Sequence, residues 1–128
     1  MIFKNDDTYV ATMRIFYWGL KAPSGRTYSK DVAEAVVEEI NKGTLMASFA
    51  DTLNINLVSG IVTDAEIKGN LVYAKVGLLE GTAEMIPEDQ WRDDTFRCTV
   101  VLNLREEALY NVTMEDVISI SHVLIYRV

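Results

Sequence analysis

The sequence predicts a β-rich α+β fold: a small β-barrel or sandwich of six to seven mainly antiparallel strands with one amphipathic helix, about residues 29–42. Three observations carry this expectation. Val58 to Leu79 holds two strand-like runs around Gly69-Asn70, a pair that suits a two-residue turn needing positive φ. Only one segment, Ser29 to Lys42, shows clear helical spacing. Further runs rich in β-branched and aromatic residues lie at residues 8–21, 95–104 and 117–128.

In chain order, TYVATMRIFYWGLK at residues 8–21 reads as a strand. Phe16, Tyr17 and Trp18 are consecutive, so strict alternation would send them to both faces. APSGRTYS, residues 22–29, is a loop punctuated by Pro, Gly and Ser. Ser29 is placed to cap a helix running through Asn41, with Asp31 in the first turn. Val32, Ala35, Val36 and Ile40 form its apolar face, and Glu38 with Lys42 stands in the favourable pairing order. Gly43 ends the helix. Leu45 to Ala50 is a strand or a continuation of the loop. Asn54 to Ile67 and Leu71 to Leu79 form the hairpin. Its expected register sets Ala65 opposite Ala74 and Asp64 opposite Lys75. Ile86 to Asp94 is a polar connector with a helical turn expected from Pro87. In the last strand, Ile118, Ile120, His122, Leu124 and Tyr126 share one face; Val117, Ser119, Ser121, Val123 and Ile125 share the other.

The 128 residues are read as one domain, 1–128, with enough apolar and aromatic residues to build a core. The net charge of −7, with basic residues scattered, argues against nucleic acid as a partner. No apolar run reaches bilayer-spanning length, so no membrane partner is expected. One Cys and one His exclude an intramolecular disulfide and a Cys/His zinc site. The acidic N-terminal residues do not resemble a signal peptide. No catalytic constellation, cofactor cradle or metal motif stands out: catalytic, cofactor and metal residues are none, and no cofactor is expected. His122 reads as a structural histidine on an apolar face, with Ser119 and Ser121 on the opposite one. Cys98, beside Arg97, reads as a small half-buried core residue. The acidic residues Glu88, Asp89, Asp93 and Asp94 lack calcium-loop spacing and read as a solvated connector.

Ser24-Gly25-Arg26-Thr27-Tyr28 leading into an amphipathic helix, followed by SGIVTDAEIKGNLVYAKVGLL at Ser59 to Leu79, resembles the tailed-phage prohead maturation proteases. The resemblance covers Ser24 to Leu79 and implies a prohead protease-like fold. It also implies where a catalytic His and Ser belong: in Ser48-Phe49-Ala50-Asp51-Thr52 and in Gly81 to Arg97. The first stretch has no His and the second no Ser. The resemblance therefore implies a degenerate, non-catalytic relative.

Taken with the surplus of aromatics, this gives the expected function: a non-enzymatic virion structural protein of a bacteriophage, a capsid-associated decoration or auxiliary subunit. Its expected partners are the major capsid or other virion proteins, in multiple copies or as a homo-oligomer. Its expected location is the virion, assembled in the host cytoplasm. Arg26, Tyr28, Tyr17, Trp18 and Trp91 are the expected interaction residues, with Met1 to Asp7 and Ile86 to Asp94 as contact segments. The alternatives are a diverged hydrolase using Cys98 or His122, and a ligand-binding adaptor with Trp18 and Trp91 lining a pocket.

Overall fold

The computed structural model describes residues 2–5, 8–22, 25–49, 58–79, 96–107 and 110–127. Among these, nine strands and one helix follow in order. They are β1 (Ile2–Asn5), β2 (Thr8–Tyr17), β3 (Thr27–Tyr28), α1 (Lys30–Asn41), β4 (Met46–Ser48), β5 (Val58–Lys68), β6 (Leu71–Leu78), β7 (Phe96–Leu104), β8 (Asn111–Val112) and β9 (Val117–Arg127). One turn of 3-10 helix, Met114–Asp116, leads into β9.

The expected β-rich α+β class is the observed one. A seven-stranded sheet runs β1-β2-β6-β5-β4-β9-β7, and β3 with β8 makes a second, two-stranded sheet. Pairing is antiparallel except for β4 with β9 and β3 with β8. The large sheet curls until β2 and β7 come within 8 Å of each other at their Cα atoms without pairing, a half-barrel. The elements that the sequence did not reveal are β1, β3 and β8. Each is four residues or shorter, too short for periodicity to register. Much of the expected contact segment Met1 to Asp7 is thus a strand paired with β2, from Ile2 opposite Ala11 to Asn5 opposite Thr8.

Helix α1 packs into the core through Val32, Ala33, Val36 and Ile40, which join Val62, Val72, Val76, Val123 and Ile125. Full burial of a Val or Ile stabilises by about 1.5–3 kcal/mol, so this seam dominates the helix's anchoring. The buried arc includes Ala33 where Ala35 was expected; Ala35 is half-buried, because the helix is rotated slightly toward Ala33. Ser29 occupies the N-cap position, but its hydroxyl donates to the Asp31 carboxylate and bonds no helix N–H. That hydroxyl, with a lesser contribution from the Met114 backbone N–H, holds the Asp31 carboxyl below its usual range. At the other end Lys42 pairs with Glu39 at 3.0 Å, not with the expected Glu38, and this raises the Lys42 pKa. Gly43 then takes φ of 81°, as its place after the helix requires.

The β5–β6 hairpin turns at Gly69-Asn70 as expected, with Gly69 at φ 62°. Lys68 faces Leu71, Ile67 faces Val72 and Glu66 faces Tyr73. The ladder then slips by one residue, and Thr63 takes the place opposite Lys75 that was expected for Asp64. Asp64 and Ala65 share a bulge, with Asp64 in the left-handed region at φ 53°. The expected Asp64–Lys75 ion pair survives at 3.8 Å because the long lysine reaches across the slip. Asn41, the last residue of α1, clamps the bulge. It donates Nδ2 to the Ala65 carbonyl at 3.2 Å and accepts the Ala65 N–H at Oδ1 at 2.8 Å. The backbone groups that the bulge takes out of the ladder are thus satisfied from the helix.

Bulges also break alternation in β2 and β9. In β2, Arg14 faces Tyr73 and Phe16 faces Val72, so Ile15 is an extra residue and Ile15 and Phe16 are both buried. In β9, Val101 faces His122 while Leu102 faces Ile120, and Asn103 faces Ser119 while Leu104 faces Val117. Ser121 and Ile118 are therefore extra residues, and the two-faced assignment made for this strand does not hold. His122 and Val123 are adjacent and both have 0% exposure; Ile118 is 67% exposed.

Candidate functional site

One end of the half-barrel gathers most of the expected interaction residues. Trp18 follows β2 directly. Its backbone N–H donates to the Asn70 carbonyl at 2.9 Å, its indole Nε1 donates to the Gly69 carbonyl at 3.0 Å, and Asn70 Nδ2 returns a bond to the Trp18 carbonyl at 2.9 Å. The hairpin tip and the strand end are locked together. Lys30, at the start of α1, sets its ammonium 5.7 Å from the Trp18 ring centroid. The Gly19 N–H donates to the Tyr28 carbonyl at 2.8 Å, and the Tyr28 ring stacks in a tilted arrangement 5.0 Å from Phe16.

Residues 19–22 and 25–28 are joined by bonds between Ala22 and Arg26 and a bridge between Lys21 and Thr27. They are held to the rest of the chain by β8, where Thr27 faces Asn111 and Tyr28 faces Val112. Arg26, Tyr28, Tyr17 and Trp18 are all half-buried and thus come to one end. Trp91 and the connector at 86–94 lie outside the described residues. The apolar surface here comes from residues that sequence reasoning did not single out: Tyr110, 70% exposed, and Leu20, 52% exposed. Tyr110 lies in no periodic segment, and Leu20 falls in the stretch 8–21 expected to be strand, whereas β2 ends at Tyr17. The pocket expected from the Trp18 and Trp91 regions falls in part outside the described residues; the Trp18 N–H and one ring face engage Gly69 and Lys30.

A second cluster is sealed inside. Ser48 and His122 are fully buried. Ala47 faces Val123 and Ser48 faces Leu124 across the parallel β4–β9 pair, which places Ser48 and His122 on the same face, one strand apart. Ser121 was expected on the opposite face from His122. The bulge brings its Oγ to 2.8 Å from His122 Nδ1. Cys98 is buried, not half-buried, and burial pushes its thiol pKa up to about 12. Desolvation outweighs any help from neighbouring Arg97, so Cys98 stays a thiol at neutral pH. Among the described residues no group of His, Cys, Asp and Glu is arranged to hold a metal. Of the two stretches where the resemblance places a catalytic His and Ser, only residues 48–49 and 96–97 are described.

A third feature is an open groove of about 800 Å3 beside the bulge, lined by Ile40, Asn41, Asp64, Glu66 and Lys75 among others. Its walls are the clamp already described, with carboxylates and an ammonium at the rim.

No protein-family model matches the chain, and no curated protein matches it. Among solved structures, the bacteriophage T4 capsid assembly protease gp21 is similar, with a TM-score of 0.60 at 15% identity. The match covers 91% of this chain and 80% of that one. The two share a fold. The prohead protease-like architecture expected from the loop, helix and hairpin order is thereby supported. Among the described residues, no helix is long and apolar enough to cross a membrane.

Proposed function

We propose that this chain is a non-enzymatic, capsid-associated protein of a tailed bacteriophage that works through protein–protein contacts. The fold it shares with a phage capsid assembly protease supports the setting. What supports the non-enzymatic part, among the described residues, is the burial of His122 and Cys98. His122 has no exposed surface, and the Cys98 thiol is buried with a pKa near 12. A general base or a nucleophile must reach substrate, and neither side chain does. Exposed apolar side chains are available for contacts instead, among them Leu20 and Tyr110 at the locked end and Ile118 in β9.

Mass spectrometry of purified virions from the phage that encodes the chain tests this reading. Capsid-like copy number supports it, and absence from the particle defeats it. The Ser121–His122 contact at 2.8 Å favours one competing reading, a diverged hydrolase. Peptide hydrolysis by the purified protein that disappears in Ser121→Ala and His122→Ala variants of intact fold would establish that alternative.

A further inference from the structure

We draw no further inference here: the strongest candidate, the open groove of about 800 Å3 beside the Asp64 bulge, belongs to the Asn41 clamp already described, its Asp64 and Glu66 carboxylates pair with Lys75 and Lys68, and nothing among the described residues points to a ligand for it.

Discussion

The β5–β6 hairpin and the β7–β9 pair are both long antiparallel ladders with bulges, yet they handle the extra residue in opposite ways. In the hairpin the bulge faces water. Asp64 sits exposed, and Asn41 of the helix satisfies the displaced backbone of Ala65. In the β7–β9 pair one bulge, at Ser121, abuts the interior, and a neighbouring side chain answers it: Ser121 bonds the fully buried His122. The difference teaches where each register is secured. The hairpin is held from outside by a helix end and by Trp18 at its tip. The β7–β9 pair is held from within, by packing and a buried polar group. A change at the inner bulge should therefore be felt more than one at the outer.

The largest effect is expected from His122→Ala. It opens a cavity in the core and strips the half-buried Ser121 of its partner, and should destabilise by about 3 kcal/mol in urea unfolding. Asn41→Ala should follow at about 2 kcal/mol, since it leaves both the N–H and the carbonyl of Ala65 without their side-chain partner. If Asn41→Ala proves the more damaging, the contrast between the two ladders is wrong.

Alkali sharpens the comparison from the inner side. The Cys98 pKa is raised to about 12 in the fold from an ordinary value of 9.0, so the native state keeps a proton that the unfolded chain loses. The stability is fully present below pH 9 and falls as pH rises toward 12, with a slope from this group of about 1.4 kcal/mol per pH unit. Cys98→Ala should remove that part of the slope in unfolding curves taken across this range, and an unchanged slope would place the thiol in water.

Two smaller changes complete the series. Asp64→Gly relieves a left-handed residue and should stabilise by about 0.5–1 kcal/mol in thermal unfolding, provided the Asn41 clamp stays in place. Ile118→Ser, at a looped-out and exposed position, should lie within about 0.5 kcal/mol of the parent.

The sequence made the helix, the hairpin turn and the long strands legible because each has a period or a glycine at a defined place. Gly43 and Gly69 both take positive φ where they were expected to. Alternation misled wherever a bulge intervened, at Ile15, Asp64, Ser121 and Ile118. One extra residue reverses the facing of everything beyond it, and no residue type announces it. That is why Ser121 was set apart from His122. The candidate surface was half legible. Arg26, Tyr28, Tyr17 and Trp18 do converge, but three of them largely serve the fold: Trp18 through Gly69 and Asn70, Tyr28 through Phe16, and Tyr17 opposite Leu71. The exposed Tyr110 was invisible because β8, which brings it there, is two residues long.

The lock between Trp18 and the hairpin tip has one more consequence. An indole proton held on the Gly69 carbonyl exchanges with deuterium only when the bond opens, and indole protons resonate well apart from backbone amides. Trp18 is therefore a built-in isotope-exchange clock for this end of the molecule. Anything that grips the loop and the tip together will slow it, and anything that wedges them apart will speed it, with no label attached.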